Sequence, residues 1–110
     1  MEIIYKSRKI EKQLTDPKEM AKSFGQLARH INQRLKDLSA AENLAMMRTL
    51  PAARCHELTG DRKRELAVNV STNYRLIFEP NHEPIPQKAD GGLDWGNVTR
   101  IRIIDMEDYH

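Results

Sequence analysis

Pro51 separates two segments of this chain that carry different hydrophobic periods. Before it, Met20, Phe24, Leu27, Ala28, Ile31, Leu35 and Leu38 recur at spacings of three and four, the repeat of one helix face. After it, Leu66, Val68 and Val70 alternate with Glu65, Ala67 and Asn69, and Tyr74, Leu76 and Phe78 alternate with Arg75 and Ile77. That is the repeat of two hairpin strands with one buried face. Helical and strand patterns segregated in this way specify an α+β fold, with helices packed on one face of a largely antiparallel, twisted sheet.

Local signals fill in the order. Ile3, Ile4 and Tyr5 form a short apolar run that can open the sheet. Ile10 and Leu14, four apart, mark a short amphipathic helix over 7–14. Asp16 before Pro17, with Glu19 three residues on, is a capping box that starts a long helix. Arg29, Arg34 and Lys36 lie off its apolar stripe. Ser39 and Glu42 repeat the box before Leu44, Ala45, Met46 and Met47, a third short helix stopped by Pro51. Cys55 to Leu58 reads as a weak strand ending at the Gly60-Asp61 turn, and Ser71-Thr72-Asn73 turns the next hairpin. Residues 80–97 hold three prolines and three glycines without periodicity, a long loop that Trp95 can pin to the body. Val98 to Ile104 reads as the strand that closes the sheet.

A chain of 110 residues is one domain, spanning 1–110. No apolar run approaches the roughly 20 residues that span a bilayer, and the start lacks a secretory pattern. The single cysteine, Cys55, has no internal disulfide partner, and no Cys/His set has zinc spacing. These readings imply no membrane, no metal, no cofactor and a reducing cytoplasm. A net charge of +2 is too small to demand nucleic acid. Its distribution is more informative, because the first third is basic and Arg62-Lys63-Arg64 follows closely on His56.

The end of the chain, Glu107-Asp108-Tyr109-His110, concentrates an acid, a phenol and an imidazole after a strand. Those groups perform acid/base chemistry near neutral pH. His56 adds a second imidazole, and Arg75 adds a planar fork suited to phosphate oxygens. Cys55 neighbours His56 but points to the other face of a strand, so it reads as a small buried hydrophobe. His30 and His82 read as surface residues.

Three stretches carry a resemblance. Leu50-Pro51 followed by Cys55-His56-Glu57-Leu58-Thr59-Gly60-Asp61-Arg62 resembles the His-x-Leu-(Lys)-Gly-Asp-Arg signature of HigB-like killer toxins, in the RelE/ParE superfamily. Asn73-Tyr74-Arg75-Leu76-Ile77-Phe78 resembles the strand Asn-aromatic-Arg-(Leu/Ile)-x-Phe of that family, and Glu107-Asp108-Tyr109-His110 is similar to its ending. The resemblance covers nearly the whole chain. It implies a RelE/ParE-like fold and the toxin of a type II toxin–antitoxin module, cutting mRNA on the ribosome without a metal. It implies a cognate helix-turn-helix antitoxin, through which alone operator DNA would be bound. It assigns His56, Arg75, Asp108, Tyr109 and His110 to the catalytic centre, and Arg62, Lys63 and Arg64 to RNA binding.

One position departs from the pattern. The lysine that the family carries three residues after the motif histidine is Thr59 here. Two further readings of the same fold therefore stand beside the nuclease. One is a ParE-like inhibitor of a protein target such as gyrase. The other is an inactive relic that serves only as antitoxin partner and operon co-repressor. Which group would act as base and which as acid is open at the level of sequence.

Overall fold

The computed structural model describes residues 1–109, so His110 lies outside the described residues. Strand β1 (Glu2–Tyr5) is followed by helices α1 (Arg8–Thr15), α2 (Pro17–Phe24) and α3 (Ala28–Ala40). Strands β2 (His56–Glu57), β3 (Leu66–Asn69), β4 (Tyr74–Pro80) and β5 (Arg100–Asp108) complete one five-stranded sheet of order β1-β5-β4-β3-β2. β1 runs parallel to β5, and every other neighbouring pair is antiparallel.

Ser7 Oγ accepts the Ile10 N–H at 3.2 Å and starts α1. Asp16 both ends α1 and starts α2: its N–H bonds the Lys12 carbonyl, while Oδ1 accepts the Lys18 N–H at 3.0 Å. The single long helix read from the apolar stripe is broken. Gly25 takes φ +50° at the end of α2, and a 3₁₀ turn at Gly25–Leu27 leads into α3. The stripe runs unbroken through the break because α2 and α3 face the same core, so periodicity alone hides the Gly25 stop. The Ser39–Glu42 box also gives way. α3 runs to Ala40, and Asn43 caps instead, its Oδ1 accepting the Met46 N–H at 3.2 Å. The segment it starts, Leu44–Thr49, is a 3₁₀ helix.

The core lies between the helices and the sheet. Leu14, Met20, Ile31 and Leu38 meet Leu66, Val68, Leu76, Phe78, Ile101 and Ile103, with Leu44, Met47 and Val98 filling the end. Each side chain buried this fully contributes about 1.5–3 kcal/mol. Arg34, which lies off the apolar stripe, ties three elements together. Its Nε donates to the Asn69 carbonyl (2.7 Å), Nη1 to Asp37 (3.0 Å) and Nη2 to the Ala52 carbonyl (3.3 Å).

Two strand readings change. The hairpin of β3 and β4 is buried on both faces at its centre, where Ala67 pairs with Ile77 and both are fully buried outside the main core cluster. β5 starts later and runs further than Val98–Ile104, because a bulge after Ile103 resets its phase. Phe78 pairs with Ile103 but Ile77 pairs with Asp105, so Ile104 is the extra residue.

The loop before β5 is ordered by specific contacts. Asn81 N–H bonds the Arg100 carbonyl, and His82 Nε2 accepts the N–H groups of Thr99 (3.0 Å) and Arg100 (3.2 Å). A small turn closes between Lys88 and Gly92. Trp95 is buried, its indole N–H donates to Glu57 at 2.9 Å, and the Arg48 guanidinium lies 3.8 Å over its ring. Trp95 thus pins the loop as its sequence context suggested. Among the described residues no helix is long and apolar enough to cross a membrane.

Candidate functional site

Strand pairing assembles a polar face opposite the helices. One row across the sheet is Asn69, Arg75 and Glu107, and the next is His56, Ala67, Ile77 and Asp105. Directly paired residues share a face, as do residues two apart in a strand. His56 and Arg75 therefore look out on the same side. They sit on strands two places apart, about 10 Å across the sheet and about 7 Å along it.

His56 is exposed, and its Nδ1 lies 2.7 Å from the Arg54 carbonyl oxygen. Arg54 adopts the left-handed conformation (φ 44°, ψ 51°) that turns this carbonyl toward the ring. A carbonyl only accepts, so Nδ1 carries the proton. In the neutral ring Nε2 is then the free lone pair, the nitrogen able to take a proton from a ligand. The preceding Cys55 is half-buried, and burial pushes its thiol up to about 12 against the opposing charge of Arg48. It is no nucleophile at neutral pH.

Arg75 is held at both ends of its fork. Nε (3.0 Å) and Nη2 (2.7 Å) donate to Glu107 Oε1, and the guanidinium stacks on Tyr109, 4.5 Å from the ring centroid. Arg62 reaches the same carboxylate from the turn after β2, with Nη1 2.6 Å from Glu107 Oε2 and Nε 3.0 Å from Glu65. Burial would raise the Glu107 pKa, but hydrogen bonds and charge from Arg75 and Arg62 outweigh it and hold the carboxyl below its usual range. The same carboxylate raises the pKa of Arg62. Two arginines and two glutamates thus balance to zero formal charge.

Tyr109 lies on this face as well. Its N–H bonds the Asn73 carbonyl at 2.9 Å, and its hydroxyl sits 3.4 Å from Asn69 Oδ1. Asp108 does not join it. Asp108 pairs in register with Tyr74, which packs against the core, so strand alternation puts it on the face opposite Glu107. The acid beside the phenol is Glu107, which the sequence reading placed in the terminal run but did not assign to the site. The expected assignment to His110 falls outside the described residues.

The basic run after His56 is divided. Arg62 turns inward to Glu107, whereas exposed Arg64, at φ 79°, lines an open cavity of about 720 Å³ with Glu79, His82, Arg100 and Arg102. That cavity lies at the other end of the polar face, where Arg102 pairs with Glu79. Exposed Lys63 lines a smaller hollow of about 190 Å³ with Arg64, Glu57 and Gln87. Thr59 sits beyond the end of β2, exposed, at the entrance to the 3₁₀ turn Gly60–Arg62. Among the described residues no three His, Cys, Asp or Glu side chains converge in a way that could hold a metal ion.

A small helical layer on one side of a five-stranded, mostly antiparallel sheet is a RelE/ParE-like fold. The YoeB/ParE toxin from Agrobacterium tumefaciens superposes over 100% of both chains with a TM-score of 0.56, at 10% sequence identity, a likeness of fold alone. Residues 4–87 match the family described as HigB-like toxin, the RelE-like toxin of the type II toxin–antitoxin system HigB. The chain belongs to this HigB-like family, and a type II toxin has a cognate antitoxin as partner. No curated protein matches it. His56, Arg62 and Arg75 lie inside the matched residues, whereas Glu107 and Tyr109 lie beyond them.

Proposed function

We propose that this toxin is a ribosome-dependent endoribonuclease that arrests translation in the cytoplasm by cutting mRNA without a metal. The observation that carries the reading is one sheet face holding both an exposed imidazole with a free Nε2 and an Arg75–Tyr109 stack. Metal-free RNA cleavage needs few parts. A base removes the 2′-hydroxyl proton, the 2′ oxygen attacks phosphorus in line, an acid protonates the departing 5′ oxygen, and cations hold the phosphorane.

His56 Nε2 serves as the base in this scheme. Tyr109 offers a ring for a base to stack on and a hydroxyl for hydrogen bonding. Arg75, with Arg62 beside it, receives the phosphate oxygens. His110, with Asp108 close in sequence, is the candidate acid. Lys63 and Arg64 contribute backbone contacts that position RNA without reading its sequence. The antitoxin masks this face, and operator DNA is reached only through it.

The test is cleavage of mRNA on programmed ribosomes by purified protein, with a ribosome-free control. His56→Gln is expected to lower the rate by about 10²- to 10⁴-fold, the range for losing a general base. Tyr109→Ala is expected to weaken substrate capture by about 1–3 kcal/mol, the usual worth of one base stack. Intact mRNA with folded wild type would overturn the nuclease reading. A specific observation favours the second reading, an inactive antitoxin partner: both phosphate-binding arginines are already neutralised by Glu107.

A further inference from the structure

Glu107 places its two carboxylate oxygens where a phosphate's oxygens would go. One oxygen takes the Arg75 fork, at 3.0 and 2.7 Å, and the other takes Arg62 at 2.6 Å. Planar guanidinium groups bind carboxylate and phosphate in the same bidentate geometry. A ligand phosphate and this carboxylate therefore compete for one set of donors. The contact is half-buried, with side-chain exposures of 17% for Arg75 and 21% for Glu107, so solvent screens it less than a surface pair. Arg102 makes a similar fork onto Glu79 at the opposite end of the face, but among the described residues only Glu107 bridges two arginines there.

We propose that Glu107 is a resident stand-in for the substrate phosphate, an autoinhibitory carboxylate that must leave the Arg62–Arg75 seat before RNA can occupy it. The inference rests on the nuclease reading for the identity of the phosphate, but not for the competition itself. While seated, Glu107 keeps both guanidinium groups aimed at one point and keeps the free protein from binding stray polyanions. When RNA is pressed onto this face, the side chain swings out and the cations are exposed to the scissile phosphate. Strand β5 presents Glu107 one residue from its end, so the side chain can move without disturbing the core rows at Ile101 and Ile103.

The measurement is the affinity for inorganic phosphate, read by NMR amide shifts along β4 and β5, with no ribosome or RNA present. Glu107→Gln keeps the shape and removes the charge. It is expected to bind phosphate about tenfold more tightly than wild type, the scale of a charge-assisted hydrogen bond. Adding Arg75→Gln is expected to abolish that gain. Unchanged or weaker binding by Glu107→Gln would show that the carboxylate is a permanent brace and would overturn the proposal. If Glu107→Gln does not fold, the wild type decides: the carbon signal of the Glu107 carboxylate must move as phosphate saturates, and a static signal overturns the proposal. Tighter phosphate binding with no mRNA cleavage would remove only the nuclease reading. Cleavage by wild type with no gain in phosphate affinity would remove only this one.

Discussion

Arg34 bonds to a carboxylate and two backbone carbonyls at once, and it does so nearly out of solvent, at 15% side-chain exposure. Its position between the apolar stripe and the polar surface of α3 gave no sign of this, because the partners Asn69 and Ala52 are distant in sequence. Arg34→Ala is expected to cost about 2–3 kcal/mol, since it removes hydrogen bonds from a charged donor and leaves carbonyls without their partner. Urea unfolding would measure it. Arg34→Lys should recover only part, because one ammonium cannot span three acceptors set at fork geometry. The site residues were legible to different degrees for similar reasons. His56 and Arg75 stand in recognisable local motifs. Glu107 owes its role to Arg62 and Arg75, and that convergence appears only once the sheet is paired.

At the scale of elements, β5 shows what alternation can and cannot reveal. Its apolar residues fall at Ile101 and Ile103, then at Ile104 and Met106. A regular strand from Ile101 would drive Asp105 and Glu107 into the core, so the Ile103-Ile104 doublet is the mark of a phase change. Read that way, Glu107 and Tyr109 share a face and Asp108 does not. The Gly25 break left no such mark, because its apolar spacing is the same on both sides. The loop before β5 offers a pH prediction. His82 Nε2 accepts two backbone N–H groups, which requires an unprotonated nitrogen. Burial, then the charge of Arg100, lowers its pKa. The unfolded chain therefore takes up the proton more readily. The contribution of His82 is complete above about pH 6.5, the ordinary histidine value, and is lost as pH falls through the lower folded one. Hydrogen exchange at the Thr99 and Arg100 amides is expected to accelerate on acidification across that range, and His82→Phe should show fast exchange at every pH.

Across the whole molecule, the chemistry-bearing face and the load of stability are separable. The face is built from side chains that project away from the core, while Leu66, Val68, Leu76, Phe78, Ile101 and Ile103 hold the sheet to the helices. Removing Tyr109 and His110 takes away the stack on Arg75 and the bond to Asn73 but leaves every residue of the described core. That truncation is expected to keep its far-ultraviolet circular dichroism and its cooperative melt while losing growth arrest on expression. Retained toxicity would rule out the proposed catalytic role of the chain end. A cut that also removes residues 100–108 should unfold the chain, because β5 lies between β1 and β4.

That strand order also sets a sequence of events. Synthesis delivers β1 first, and its hydrogen-bonding partner β5 only after the three helices and the other three strands have been made. Until then β1 has no neighbour, the sheet is missing an interior strand, and Arg62 and Arg75 have no Glu107. The nascent chain therefore closes its sheet only when β5 clears the exit tunnel. A chain caught before that point carries its first strand unpaired and both arginines without their carboxylate.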